Sequence, residues 1–366
     1  MRSVGVEEEL LLMDAGTGEP RALSAAVLAV ASQQAGGDGA GFEAELQREQ
    51  LEFATRPQTS MADLADEIDR WRAEAARHAQ ELGVSVAALA TSPLPVSPSV
   101  GFGERYRWMG EHFGLTVQEA LTCGCHVHVS VDSDDEGVAV LDRVRPWLAV
   151  LLALSANSPF WQGRDTEYAS YRSQVWSRWP SAGPVEPFGS PDRYHARVRE
   201  MIDTGVLRDE GMIYFDARLS HRYPTVEIRV ADVCLEPTTT VLLATLARGL
   251  VETASRQWRA GGPPSRHSVA LLRLASWRAG RYGLQGDLLH PLSLRPAPAG
   301  TVVRALLDHV RDALDDAGDT RPAERALDRL LASGNGALVQ RDLLQRTGSL
   351  RRVVDECLQR SGGTRR

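Results

Sequence analysis

Lysine is absent from this chain of 366 residues, so all 41 of its basic residues are arginine. The absence excludes a phosphate-binding loop of the Gly-Lys-Ser/Thr type. It also excludes every mechanism that needs a lysine nucleophile, a lysine base or a Schiff base. If the protein handles phosphate, then arginine, metal ions and backbone amides must bind it.

Cysteines, long apolar runs and excess positive charge are also scarce. Four cysteines do not make a disulfide framework in a chain of this length. The longest apolar run, Trp147 to Ala156, is about half of what a membrane-spanning helix needs. The run Glu7 to Glu9 stands where a secretory peptide would have its apolar segment. With a net charge of −7, we expect a cytoplasmic protein that binds neither membranes nor nucleic acid.

The segment Thr225 to Asp232 alternates as a half-buried β-strand does. Three aliphatic residues share one face, and Glu227 and Arg229 share the other. A carboxylate and a guanidinium in an otherwise apolar strand are rarely buried unless they are paired or bind ions. Alone, this pair is explained by an exposed sheet face with a cross-strand ion pair. Its significance comes from three other segments that repeat the pattern.

A second alternating segment, Gly124 to Asp132, places His126 and His128 on one face. The neighbouring Cys123 and Cys125 raise the alternative of a structural zinc site. On a single strand, however, the cysteines face away from the histidines, so one tetrahedral cage would require a break in the strand. The simplest alternative is a polar sheet face with no ligand.

Carboxylates are concentrated in two N-terminal segments. Glu7 and Glu9 share one face of a predicted strand, Val4 to Met13. Three more glutamates follow at spacings of four and three, and these spacings also fit the solvated side of a helix. The alternation near the end of this segment and the proline that closes it favour a strand. This second group consists of Glu45, Glu49 and Glu52.

Six polar side chains would form one site if these segments were neighbours in a sheet: Glu7, Glu9, Glu45, Glu52, His126 and Glu227. Carboxylates about 4 Å apart repel by roughly 4 kcal/mol per pair at a typical effective dielectric, so this group would need cations. Carboxylate oxygens with one imidazole suit Mg²⁺ or Mn²⁺ better than zinc. Acidic residues, Mg²⁺ and arginines together describe a site for a nucleoside triphosphate.

The order of the predicted elements indicates an α+β fold, with a mainly antiparallel sheet and helices on one face. Strands are predicted over 84–91, 212–220 and 223–232, and helices over 105–113, 136–155, 191–203 and 237–258. A long amphipathic helix begins at Ser60, which caps it with Asp63, and ends before Gly83.

The rest of the chain contains a glycine-rich turn at 36–41, an irregular stretch at 157–189 and a polar tail at 361–366. An irregular stretch of this length inside a compact domain is usually functional. No linker forces a domain boundary. We expect a single domain over 1–366, with the sheet-bearing core in about 1–260 and a helical part in about 261–360.

Five segments carry a resemblance to a known family. They are Gly5-Val-Glu-Glu-Glu, the run from Glu45 through Glu52 to Thr55-Arg-Pro, Cys123-Gly-Cys-His-Val-His-Val, Thr225-Val-Glu-Ile-Arg-Val-Ala-Asp, and Ser158-Pro-Phe-Trp-Gln-Gly with Ser170-Tyr-Arg172. Together they make the chain resemble the glutamate–cysteine ligase type 2 group, also called the carboxylate–amine ligase family, which has a glutamine synthetase-like fold.

The resemblance implies a curved antiparallel sheet with helices on its convex face and ATP with two or three Mg²⁺ ions on its concave face. The six polar residues named above would be the metal ligands. Arg172 and Arg229 would lie near the transferred γ-phosphate, where a guanidinium can neutralise developing charge. His128 shares the strand face of His126 and is a candidate for contact with substrate or with a metal ion. Arg178 and Arg218 are candidates for binding the substrate carboxylate, with surface or structural ion pairs as the alternative.

The implied activity is ATP-dependent amide formation between two small molecules. The expected carboxylate is the γ-carboxylate of glutamate, the expected amine is one such as that of cysteine, and the expected intermediate is an acyl phosphate. A homodimer is expected on the same grounds. The alternatives are a di-metal hydrolase that uses the same acidic face and a metal- or nucleotide-binding module without turnover.

Overall fold

The computed structural model describes residues 1–34 and 41–361. The glycine-rich turn expected at 36–41 and the polar tail expected at 361–366 lie outside these residues except for positions 41 and 361. Within the described residues, no helix is long and apolar enough to cross a membrane.

Seven strands form an open antiparallel sheet in the order β2-β3-β1-β5-β9-β8, with β4 also paired to β1. Two small hairpins, β6-β7 and β10-β11, lie apart from it. The strands are β1 (Val4–Asp14), β2 (Phe42–Ala44), β3 (Gln50–Ala54), β4 (Val84–Ala87), β5 (Gly124–Ser130), β6 (Phe160–Trp161), β7 (Arg164–Asp165), β8 (Ala217–Leu219), β9 (Thr225–Asp232), β10 (Asp287–Leu289) and β11 (Pro296–Pro298).

The helices fill most of the chain between and after these strands. They are α1 (Ser24–Gln34), α2 (Met61–Gln80), α3 (Glu104–Phe113), α4 (Leu115–Gln118), α5 (Asp134–Val144), α6 (Leu148–Ser155), α7 (Arg172–Trp176), α8 (Pro191–Asp203), α9 (Pro237–Arg259), α10 (Val269–Tyr282), α11 (Ala299–His309), α12 (Arg311–Ala317), α13 (Thr320–Ser333), α14 (Gly336–Thr347) and α15 (Leu350–Ser361). Short 3₁₀ turns lie at Arg145–Trp147 and Glu210–Met212.

One face of the sheet is covered by helices. Helices α2 and α9 contact β1, α9 also contacts β5, and α5 and α6 contact β9. The residues of β1 that point to this side, among them Val4, Val6 and Leu10, are fully buried in the core. The C-terminal helices extend the same layer by packing on α6, α9 and β4. The opposite face of the sheet is therefore free to form a site, and the expected α+β fold is confirmed.

Most predicted elements form, and the differences have local causes. Residues 42–56 form two short strands, so the helical alternative for this segment is wrong. The strand predicted at 84–91 ends at Ala87, because the next amide, Ala88 N–H, donates to Ser361 Oγ instead of a neighbouring strand. The strand predicted at 212–220 is shortened to β8, since Met212 and Tyr214 bond Ser181 instead.

Candidate functional site

A cleft of about 1490 Å³ opens on the sheet face that the helices leave free. The register of the strands places its polar side chains side by side: Glu9 lies opposite Glu52, Glu7 opposite His126, and His128 opposite Glu227. Glu45 reaches the cleft from the loop between β2 and β3. The structure therefore brings together all six predicted metal ligands: Glu7, Glu9, Glu45, Glu52, His126 and Glu227.

Glu7, His126 and Glu227 form the tightest group of potential ligands. One ligand atom of each lies within 4.8 Å of the others. His126 Nδ1 is 3.2 Å from Glu7 Oε2, and His128 Nε2 is 3.2 Å from the other oxygen of Glu7. Burial works to raise the pKa of Glu7, but the two imidazoles outweigh it and hold that pKa well below its usual range. Glu7 is thus an anion at neutral pH.

His126 has the protonation state that a metal ligand needs. Its burial, with help from the nearby Arg229 guanidinium, lowers its pKa to about 4, so the ring is neutral at pH 7. Because a carboxylate can only accept, Nδ1–H donates to Glu7. Nε2 is then a buried lone pair without a hydrogen-bond partner, 4.0 Å from Glu9 Oε1. Two ligands about 2.1 Å from one ion are separated by up to about 4.2 Å, so a Mg²⁺-sized cation fits this gap.

The carboxylates deeper in the cleft repel one another. Burial and the nearby Glu45 raise the pKa of Glu9 to about 7. Burial and the same neighbour raise the pKa of Glu52 well above its usual value. The hydrogen bond that Gly124 N–H donates to Glu9 Oε2, 2.7 Å long, compensates this only in part. Such a group of acids offers the oxygen ligands and the negative charge that divalent cations prefer.

Glu227 is held between two arginines. Arg218 donates from Nε to Oε2 at 2.7 Å and from Nη2 to Oε1 at 3.3 Å. Arg229 donates from Nη1 to Oε1. Burial would raise the pKa of Glu227, but Arg229 and Arg218 together hold it far below the usual range. The carboxylate is therefore ionised and has a fixed orientation.

Arg172 lies under the floor of the cleft. Its guanidinium is 3.9 Å from Asp232 and packs against the peptide of Gly124, where a Cβ would overlap it. Only 2 % of this side chain is exposed, and it does not line the cleft. Its nearness to Glu9 lowers the pKa of that carboxyl, which is raised overall. Arg172 thus acts on the site from behind Glu9.

The two remaining candidates for substrate binding, His128 and Arg178, differ in position. His128 lines the cleft, and its Nδ1 lies 3.0 Å from Thr225 Oγ1. Arg178 does not line the cleft, because its Nη1 is engaged with Glu119 Oε2 at 2.5 Å. The structure thus brings His128 to the other site residues but not Arg178.

The two cysteines near the histidines are also separated. Cys125 faces the helices, close to Glu8 and Arg72, as the alternation predicts. Cys123 precedes the strand, so the alternation does not apply to it, and its sulfur contacts Gln50 Nε2 at 3.8 Å. The four-residue zinc cage is not formed.

Three further residues of the cleft were not predicted from the sequence. Gln50 lies two positions before Glu52 on β3, and Thr225 lies two positions before Glu227 on β9. The same alternation could therefore have identified both. Tyr106 comes from helix α3 and bonds the carbonyl of Ala44 at 2.9 Å. No periodic signal in the sequence indicates that α3 crosses this side of the cleft.

Comparisons with known proteins match almost the whole chain. The model of glutamate–cysteine ligase family 2 matches residues 3–356. A chain from Streptomyces avermitilis, provisionally named glutamate–cysteine ligase 2-1, is 67% identical over 363 residues, which are 99% of this chain and 100% of that one. A Streptomyces coelicolor chain, provisionally named glutamate–cysteine ligase 2, is 63% identical over 361 residues, 99% of each.

Solved structures confirm the type of fold. The glutamate–cysteine ligase of Francisella tularensis, solved in complex with AMP, superposes with a TM-score of 0.71 at 13% identity. The match covers 99% of this chain and 89% of that one. The glutamine synthetase-like fold expected from the sequence is confirmed by this likeness.

Proposed function

Since the chain belongs to glutamate–cysteine ligase family 2, we propose that it joins the γ-carboxylate of glutamate to the amine of cysteine through an acyl phosphate. Family membership makes it an ATP-dependent ligase. The identity of both substrates and the intermediate are our proposal. The observation that carries it is the group Glu7, His126 and Glu227 beside Arg229 on the free sheet face.

Two positions for divalent ions are supported by the side chains. The first is formed by Glu7, His126 and Glu227, with the free Nε2 of His126 as the buried nitrogen ligand. Glu9, whose Oε1 is 4.0 Å from that Nε2, would be shared between the two positions. The second would lie among Glu9, Glu45 and Glu52, whose mutual repulsion a cation relieves. Mg²⁺ or Mn²⁺ in these positions would neutralise phosphate oxygens and orient them for transfer.

Arg229 is the arginine best placed for a phosphate group. It lines the cleft, and its Nε has no partner. A guanidinium can make two parallel hydrogen bonds to phosphate oxygens, which stabilise the charge that spreads over them during transfer. Arg172, behind Glu9, would act by holding the floor of the site in place.

The reaction would proceed in two displacements. A carboxylate oxygen of glutamate attacks the γ-phosphorus of ATP, and ADP leaves. The amine nitrogen then attacks the acyl carbon, phosphate leaves, and the nitrogen loses a proton as the amide forms. No covalent bond to the enzyme is required, so the absence of lysine does not obstruct this chemistry. The chain contributes positioning and electrostatic stabilisation.

The proposal is tested by ADP release from ATP and Mg²⁺ with glutamate, with and without cysteine. We expect ADP only when both are present, in equal amount to a γ-glutamyl amide identified by mass spectrometry. A panel of other carboxylates and amines runs in parallel, and hydroxylamine added in place of the amine would trap an acyl phosphate as a hydroxamate.

Three other outcomes would contradict parts of the proposal. ADP formed only with another carboxylate or amine would replace the substrate pair but keep the ligase. Phosphate release without any amine or trapped hydroxamate would favour the hydrolase. ATP binding measured by calorimetry without turnover on any pair would favour the non-catalytic module.

A further inference from the structure

We propose that Arg218 is a positioning residue, which fixes the orientation of the metal-binding carboxylate of Glu227 and does not bind a substrate. The inference rests on the proposed function, because it takes Glu227 to be a metal ligand. It also gives different roles to the two arginines that bond this carboxylate. Arg218 stays bonded to Glu227, whereas Arg229 can leave Glu227 and bond a phosphate.

Arg218 has too few free hydrogen-bond donors to bind a substrate carboxylate. A guanidinium has five N–H groups and no acceptor. Arg218 uses Nε and Nη2 on the two oxygens of Glu227, at 2.7 and 3.3 Å. Its Nη1 donates to the carbonyls of Ile213 at 2.9 Å and Glu210 at 3.4 Å. Four donors are occupied, so no pair remains for the two parallel bonds that a substrate carboxylate would need.

Strand pairing in the sheet fixes Arg218 and Glu227 next to each other. Arg218 on β8 lies directly opposite Glu227 on β9 in the antiparallel ladder. Side chains in directly opposed positions meet without any loop rearrangement. Both are almost fully buried, with 8 % and 2 % exposed. An orientation that is set by strand register persists whether or not substrates are bound.

Arg229 is as buried as Arg218, but it differs in its hydrogen bonds and in its place in the ladder. Its side chain has one hydrogen-bond partner among the described residues, Glu227, and its Nε is buried without a partner. It lies two positions along the same strand, so no ladder pairing holds its guanidinium to that carboxylate. Arg229 can therefore turn from Glu227 to a phosphate while Arg218 keeps the carboxylate aligned.

The test uses Arg218→Lys, because lysine keeps the positive charge and loses the fork. Keeping the charge matters, since removal of a cation near the site would itself tighten metal binding and obscure the result. We expect Mn²⁺, titrated calorimetrically into the nucleotide-free protein, to bind on the order of 10- to 100-fold more weakly, as for other groups that orient metal ligands. Turnover should fall, while KM for glutamate should change by less than about twofold.

Arg72→Lys is the matched control. Arg72 makes the equivalent bidentate pair, with both bonds 2.7 Å long, to Glu8 on the opposite face of the same sheet. The substitution should lower the thermal midpoint, since it weakens a buried pair. It should leave the Mn²⁺ affinity within about twofold of the wild type, because Glu8 does not face the cleft.

The opposite pattern would overturn the inference. If Arg218→Lys retains wild-type Mn²⁺ affinity but raises KM for glutamate, Arg218 binds the substrate carboxylate. Glu227→Gln separates this failure from a failure of the proposed function: if Glu227→Gln also binds Mn²⁺ normally, the metal assignment itself is wrong, and the inference falls with it. Loss of Mn²⁺ binding in Glu227→Gln but not in Arg218→Lys would overturn the inference alone.

Arg229→Lys provides a second measurement that does not depend on the folding of Arg218→Lys. The inference predicts that Arg229→Lys retains Mn²⁺ affinity within about threefold, because Arg218 still holds Glu227, and loses turnover. A loss of Mn²⁺ binding as large as that of Glu227→Gln would overturn the division between the two arginines.

Discussion

Buried glutamates have different partners on the two faces of the central sheet. Glu8 points to the helices, where Arg72 binds both its oxygens at 2.7 Å and Thr240 donates to it at 2.6 Å. Its neighbours Glu7 and Glu9 point into the cleft. Glu7 has two imidazoles beside it, and Glu9 lies among other carboxylates.

The difference shows where the fold neutralises its own charge and where it leaves charge for a ligand. On the helical face Glu8 has the guanidinium of Arg72 as its partner. On the cleft face the two arginines nearest the predicted metal ligands, Arg218 and Arg229, both bond Glu227. Among the described residues, no arginine forms an ion pair with the four other glutamates of that set, Glu7, Glu9, Glu45 and Glu52. Buried acids without counter-charge are costly, so the cleft face is stable only with protons or cations bound. This imbalance is the physical reason for the proposed cation positions.

The largest loss of stability is expected from Glu8→Gln, which tests the charge pairing on the helical face. The substitution leaves the buried guanidinium of Arg72 without its anion, which typically costs about 3–5 kcal/mol. Urea unfolding in the presence of a chelator measures it. Glu19→Gln, at an exposed turn position, is the control and should change stability by less than about 0.5 kcal/mol. A loss below about 1 kcal/mol at Glu8 would mean that the two faces do not differ as described.

On the cleft face, Glu52→Gln should lower activity and raise stability. We expect kcat/KM to fall on the order of 10²- to 10³-fold, equivalent to about 2.7–4 kcal/mol, as when one preorganised electrostatic group is removed from an active site. In chelator the thermal midpoint should rise, since a repelling carboxylate is gone. Steady-state kinetics measures kcat/KM and calorimetry measures the thermal midpoint, with Glu324→Gln as a surface control. A lower midpoint together with normal kinetics would identify Glu52 as a structural residue.

The pH dependence of stability should also reflect the buried acids of the cleft face. The pKa of Glu9 is raised to about 7, so the folded protein binds more protons than the unfolded chain between about pH 4.5 and 7. In chelator, the contribution of Glu9 to stability should therefore fall by up to about 3 kcal/mol as the pH rises through this window. His126, whose pKa is lowered to about 4, contributes in the opposite direction, so the Glu9 contribution is the difference between the wild type and Glu9→Gln. Glu136, whose pKa is lowered to about 2, changes stability only at lower pH.

Unfolding measured at several pH values checks this prediction. Glu9→Gln should remove the Glu9 contribution from the profile. The slope that remains would report the other shifted groups, among them Glu52 and Asp216, whose pKa values burial raises, and His126, whose pKa burial lowers. An unchanged profile in Glu9→Gln would show that Glu9 is already neutralised within the fold.

The smallest effect is expected from Arg178→Gln. The pair of Arg178 with Glu119 is at the surface, with 36 % and 41 % of the side chains exposed. Exposed pairs contribute about 0–1 kcal/mol, and KM for glutamate should change by less than about twofold. A large increase in that KM would show that Arg178 binds the substrate, and that arginines outside the cleft can also do so.

The sequence alone predicted the strands that carry the site, because period-two alternation survives in β1, β5 and β9. It assigned Glu7 and Glu9 to one face, with His126 and Glu227 as partners. The choice between helix and strand for the Glu45–Glu52 segment was open on spacing. Only pairing with β1, where Glu52 lies opposite Glu9, excludes the helix.

The arginines show where sequence reasoning ends. Nothing local distinguishes Arg172, Arg178 and Arg218, which all lie in or beside polar, aromatic-rich segments. Their roles depend on which group each one meets: Asp232 and the Gly124 peptide for Arg172, Glu119 for Arg178, and Glu227 for Arg218.

Side-chain alternation is a property of the strand itself, so the sequence alone predicted which acids and histidines share a face, and it led to the expectation of cations there. Strand order, register and the loops around the sheet depend on contacts between residues far apart in the chain. The partner of Glu8 on the helical face, and the choice of Arg218 rather than Arg172 or Arg178 as the cross-strand partner of Glu227, therefore became visible only in the folded structure.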